Sequence, residues 1–177
     1  MIKKILPGVV ALALAGTASA QDVSMFLNKA NQMNYEEVET AKIAKDKAGD
    51  NQALATYAHT IKGDHSANED AVSALSRQKS VKLEGTDPKK AETNKLNSLN
   101  GGAFNEAYLD EQVNGHKDAV RTFETAQRQF KGNRDMELYI QQTLPVLKAH
   151  LAMAENLRHS LSTTSPENPE NNKHASR

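Results

Sequence analysis

Apolar residues recur along most of this chain at spacings of three and four, the mark of helices that bury one face. The first stripe, Phe26, Ala30, Met33, Ala41, Ala44 and Ala48, predicts a helix from a cap at Asp22 or Ser24 to the neighbourhood of Gly49. The second, behind Asp50 as cap, is Leu54, Tyr57 or Ala58, Ile61, Asn68, Val72 and Leu75, and it fades near Lys79. A third enters near Phe104 and Asn105 and runs through Leu109, Val113, Val120, Phe123, Ala126 or Gln127 and Phe130. The fourth is Met136, Ile140, Thr143, Leu147, Ala154, Leu157 and Leu161. Turns at Gly49 and at Lys131-Gly132-Asn133 make hairpins of the first and second stripes and of the third and fourth. The pattern predicts an all-α domain, a four-helix bundle over 21–161.

The joint between the hairpins is longer. Asp87-Pro88 opens a short extra helix in the cap-then-proline order, with Ala91, Leu96 and Leu99 as its apolar side, and Asn100-Gly101-Gly102 stops it. This connection is long enough to run the length of the bundle, so the second and third helices are either parallel through a crossover or antiparallel through a loop. Gly63 costs its helix about 1 kcal/mol relative to alanine and implies a close contact or a bend. Pro145 removes a backbone hydrogen bond and predicts a kink about a turn before His150.

Each stripe has one polar residue where the period demands a core residue: Glu37, His65, His116 and His150. At a rise of ~1.5 Å per residue, Glu37 and His65 lie roughly 18 and 24 Å from the Gly49 turn, and His116 and His150 roughly 24 and 27 Å from the Gly132 turn. Each pair therefore matches to about one turn, and because His65 and His116 both lie near mid-helix, the two hairpins align for either direction of the third helix. A carboxylate in a dry core costs several kcal/mol, so Glu37 must be paired, hydrated, protonated or bound to a metal. Three imidazoles and a carboxylate suit zinc, iron, copper or manganese, with Glu69, one turn after His65, as possible support and Glu111 or Glu155 as weaker candidates. They equally suit a hydrogen-bonded polar layer with trapped water. The Glu-x-x-His pairs of di-iron carboxylate proteins are absent. His59, His159 and His174 fall off the stripes and are expected in solvent.

The amino terminus changes the compartment. Met1-Ile2-Lys3-Lys4, the apolar run Ile5 to Gly16 and Ala18-Ser19-Ala20 are the three parts of a secretory signal in order, with cleavage expected after Ala20 and a periplasmic or secreted product. The apolar run is short for a membrane span, and no cysteine follows it to carry a lipid, so no stable membrane anchor is expected after cleavage. Beyond Ser162 the apolar period ends, and 162–177 is expected to be a disordered tail.

Composition removes several classes of function. The 177 residues include no cysteine, and 22 basic residues balance 22 acidic ones, which argues against a thiol enzyme, a disulfide scaffold and a nucleic-acid partner. No nucleophile turn or glycine-rich phosphate loop is present, so no catalytic residue is assigned, and nothing in the pattern identifies a protein partner.

The run Glu37-Val38-Glu39, Asp64-His65-Ser66-Ala67-Asn68, Leu96 to Leu99 and Gly102-Ala103-Phe104-Asn105-Glu106-Ala107-Tyr108-Leu109, then His116, Leu144-Pro145 and His150-Leu151 through Ala154 and Leu157, resembles an exported bacterial family catalogued as domain of unknown function 4142. The resemblance spans Phe26 to Leu157 and implies a ferritin-like helical bundle outside the cytoplasm, with no settled activity. At Asn105 the family more usually has aspartate; asparagine keeps a cap and weakens a ligand role. Two readings follow. In one, the histidine layer binds a metal ion or small ligand; in the other, the protein is a structural, stress-associated or interaction module of the cell envelope, and the layer is only a polar core.

Overall fold

The ends of the helices are set by local chemistry that apolar spacing does not report. In the computed structural model, which describes residues 18–86 and 90–164, the chain forms α1 Ala20–Lys47, α2 Gln52–Gln78, α3 Lys90–Ser98, α4 Gly101–Gln129 and α5 Arg134–Thr164. Helix α1 begins ahead of both expected caps because Ser19 and Asp22 form a reciprocal capping box: the Asp22 N–H donates to Ser19 Oγ at 3.1 Å and the Ser19 N–H to the Asp22 carboxylate at 2.8 Å. Gly49, at φ +55°, takes the left-handed turn after α1, and Asn51 rather than Asp50 caps α2 by accepting the Leu54 N–H at 3.0 Å. Asn100 is the cap of α4, so Asn105 lies inside the helix and is not its cap. Helix α5 continues through Thr164, past the expected start of the tail at Ser162; residues 1–17 and 165–177, with most of the expected leader and tail, lie outside the described residues.

The connection between the hairpins is a crossover. It leaves α2 at the end where the Lys79 ammonium meets Asp135 at 2.6 Å, at the start of α5. It passes over α1, where the Glu84 N–H donates to Asn28 Oδ1 at 2.7 Å, and reaches the opposite end, where Lys47 Nζ donates to the carbonyls of Asn97 and Leu99, both at 2.7 Å. Helices α2 and α4 therefore start at the same end and run parallel, diagonally across the bundle. Each is flanked by α1 and α5 running the other way, the ferritin-like arrangement.

The core is divided in two. Near the α1 amino terminus, Phe26, Phe123, Phe130 and Tyr139 form an aromatic cluster with ring centroids 5.1 to 6.2 Å apart. At the other end Leu54, Tyr57, Ile61, Phe104, Tyr108 and Leu109 are packed with the small face of α1, Ala41 and Ala44. Each large side chain buried in these halves stabilises the fold by about 1.5–3 kcal/mol. Between them lies a polar layer. Gly63 faces open space and makes no close helix contact.

Lys47 is the main tether of the crossover where it meets α4. In Lys47→Met, limited proteolysis between 93 and 99 should accelerate about threefold while the global unfolding midpoint changes little, because buried Leu96 and the Lys95–Glu111 pair still hold the segment. Unchanged protection of that segment would show the tether to be dispensable.

Candidate metal centre

The polar layer is built from one histidine on each of α2, α4 and α5. His65, His116 and His150 are 4%, 1% and 1% exposed, so whatever their rings need must come from the protein or from a buried ligand. Each ring is held from outside by an acceptor. His65 Nδ1 meets Asn34 Oδ1 at 2.9 Å, His116 Nδ1 meets the Gln112 carbonyl at 3.0 Å, and His150 Nε2 meets the Asp64 carboxylate at 2.9 Å. A carbonyl and a carboxylate can only accept, so His116 Nδ1 and His150 Nε2 carry protons; with the Asn34 oxygen turned to His65 and its Nδ2 left without a partner, His65 Nδ1 carries one too, and each inner nitrogen of a neutral ring presents a lone pair.

Those three lone pairs converge. His116 Nε2 is 3.4 Å from His65 Nε2 and 3.3 Å from His150 Nδ1, and the three nitrogens lie within 4.8 Å of one another. With metal–nitrogen bonds of about 2.0–2.1 Å and tetrahedral angles, ligand nitrogens stand about 3.3–3.4 Å apart, so two sides of the triangle already have the dimensions of a site. Histidine ligands whose other N–H is anchored by a carboxylate or carbonyl are the usual second layer of such sites.

Glu37 does not join them. Its carboxylate lies on the outer side of the His116 ring, with Oε1 3.8 Å from Nδ1, and it accepts from Gln112 Nε2 at 2.6 Å. Gln112 in turn accepts the Tyr57 hydroxyl at 2.8 Å. The partner that burial demanded for Glu37 is thus an amide, and the carboxylate backs the His116 ring. Glu69 belongs elsewhere: near Lys42 and Glu39, its carboxyl is pushed up by burial, which outweighs the Lys42 charge. Glu111 pairs with Lys95 at 3.7 Å and Glu155 with Lys117 at 3.1 Å, both as surface ion pairs. His59 and His159 are exposed, and His174 lies outside the described residues.

Three contributors escaped the sequence pattern. Asn34 is 3% exposed and stands four residues after Ala30 and seven before Ala41, as good a fit to the α1 stripe as Met33, which is only partly buried. Asp64 is half-exposed and next to a histidine, where periodicity gives no signal. Gln112, one turn back along α4, accepts from His116 through its backbone carbonyl, while its amide donates to Glu37. Asn105, eleven positions before His116 on the same helix, is about 16 Å away along the axis and outside the layer.

Burial is the main force holding the His65 imidazole well below its ordinary range, with the His116 and His150 charges adding to it. His150 is lowered by burial too, against the opposing effect of the hydrogen bond it donates to Asp64.

With that geometry in view, the chain belongs to the family described as a domain of unknown function, DUF4142, whose model matches residues 10–157. No curated protein matches it. Among solved structures it is similar to the crystal structure of a DUF305 fragment from Deinococcus radiodurans, at 14% identity and a TM-score of 0.72, covering 82% of this chain and 99% of that one. At that identity the likeness is one of fold, and it agrees with the helical bundle.

The two depressed imidazoles fix a pH dependence. A group whose folded pKa lies below its unfolded value of 6.5 binds fewer protons folded than unfolded, so stability is complete above that value and is lost as pH falls through it. The urea midpoint of metal-free protein should therefore fall between pH about 7 and 5, and fall less in His65→Leu; a flat profile would contradict a buried, neutral pair.

Proposed function

We propose that this protein binds one first-row transition-metal ion through His65 Nε2, His116 Nε2 and His150 Nδ1. The observation that carries the reading is the set of outer acceptors, Asn34, the Gln112 carbonyl and Asp64, which turns all three inner lone pairs toward a common point. In a merely structural layer, neighbouring rings would donate to one another, and the outer partners would be mixed donors and acceptors.

The donor set narrows the ion. Three neutral imidazoles with no carboxylate among them favour zinc or copper, and iron to a lesser degree; manganese prefers oxygen. When bound, such an ion supplies Lewis acidity at a remaining coordination position. The chain's own groups do the rest. Asp64, partly in solvent, secures the His150 ring and adds one negative charge beside a centre that is otherwise neutral. Glu37, positioned by Gln112, adds a second beside His116, so a divalent ion meets local charge of opposite sign without direct carboxylate ligation. Two apolar halves exclude water above and below.

Work outside the cytoplasm is part of the same proposal, resting on the basic, apolar and small-residue sequence of residues 1–20.

Metal titration tests it. At a hundredfold excess over Kd, zinc or copper should stabilise the fold by about 2.7 kcal/mol, raising the melting temperature by roughly 5–10 °C. His116→Ala should abolish the shift, whereas Glu37→Gln should keep stoichiometric binding with affinity lowered about tenfold. No thermal shift with any of zinc, copper or iron would refute the proposal. A Glu37→Gln variant that loses the metal altogether would move the carboxylate into the ligand set.

A further inference from the structure

A cleft of about 260 Å³ opens between α2 and α5 and ends on two of the three histidines, His65 and His150. It exists because α2 presents alanine at two successive turns, Ala67 and Ala71, opposite Val146 and Thr143 of α5. Asn68 and Thr143 share their helix faces with His65, one turn away, and His150, two turns away, so the cleft runs along both helices to the histidine layer.

Two of its polar groups are unmatched: Asn68 Oδ1 and the Tyr139 hydroxyl are buried near each other, yet neither meets a partner at hydrogen-bonding geometry. Tyr139 is 6% exposed, its ring is packed against Phe26 and Phe123, and its hydroxyl end reaches Asn68 and Thr143 at the cleft. An unpaired carbonyl oxygen asks for an N–H or O–H, and a phenol can answer either way. Charge selects further: among the described lining residues there is no lysine or arginine, and the only full charge is the Asp64 carboxylate, so an anion is disfavoured.

We propose that this cleft admits a small, neutral molecule bearing an N–H or O–H, which occupies the remaining coordination position of the histidine-bound metal and donates to Asn68, with Tyr139 as a second contact. The inference rests on the metal reading and adds to it a route and a class of ligand. Volume is consistent: a water's share of liquid is about 30 Å³, so the cleft takes a molecule of several heavy atoms.

Cobalt(II) is the spectroscopic probe and imidazole, kept neutral above pH about 8, the ligand. In cobalt-loaded protein, imidazole should shift the visible absorption saturably while the metal stays on the protein. Ala67→Phe, at an exposed helical position, should leave the imidazole-free cobalt spectrum unchanged and weaken imidazole binding about tenfold or more by filling the cleft. Tyr139→Phe should weaken it about fivefold, the effect of one hydrogen bond. Imidazole that acts equally on Ala67→Phe, or leaves the cobalt spectrum of the unsubstituted protein unmoved, overturns the pocket and leaves the metal site standing. A protein that takes up no cobalt, zinc or copper overturns both.

Discussion

The structure depends on three hydrogen bonds that point outward. Asn34, the Gln112 carbonyl and Asp64 each take the proton of one imidazole, and in doing so they commit the other nitrogen of each ring to facing its neighbours bare. Three lone pairs at such separations repel unless a cation lies among them. The layer is therefore suited to the proposed metal ion, and it is built into the middle of a bundle between two apolar halves. Leaving a buried polar group unmatched costs about 1–3 kcal/mol. Concentrating such groups at one level, in place of leucine, lowers stability, which the proposed metal ion would restore.

The crossover is what makes the layer possible. Bringing α2 and α4 parallel across the diagonal lets α1 and α5 flank both of them, so that His65 and His116 approach from opposite corners while His150 and Asn34 enter from the remaining two. The long connection also covers the outer side of α1, held at one end by Asn28 and at the other by Lys47. Helix α5 carries Pro145 between Thr143 and Leu147, beside the cleft that leads to the layer. Pro145 has no N–H to donate, so one backbone hydrogen bond is missing there while α5 stays helical from Arg134 to Thr164.

Much of this was legible in the chain. The four long helices followed from apolar spacing, and His65, His116 and His150 showed as gaps in their stripes because each replaces a core residue without disturbing the period. Their common depth followed from the rise of a helix. Glu37 was legible as an anomaly but not as to direction: a long side chain at the edge of a stripe can turn outward, and Gln112 holds it there, on the far side of His116. Asn34 was hidden because Met33 satisfied the same period one residue earlier. Asp64 was hidden because a half-exposed carboxylate carries no periodic signal, and the direction of α4 because a connection of that length permits either. What spacing cannot encode is the rotation of a ring and the choice of its partner, and the chemistry of the layer resides in those two things.

The central claim is a statement about protons on nitrogen, and ¹⁵N–¹H correlation spectra of the histidine side chains in protein titrated with zinc at pH about 8 test it most directly. The account predicts Nδ1–H on His65 and His116 and Nε2–H on His150, with zinc shifting the three inner nitrogens and leaving the outer protons in place. A proton on His65 Nε2 or His150 Nδ1 that zinc fails to displace would contradict it.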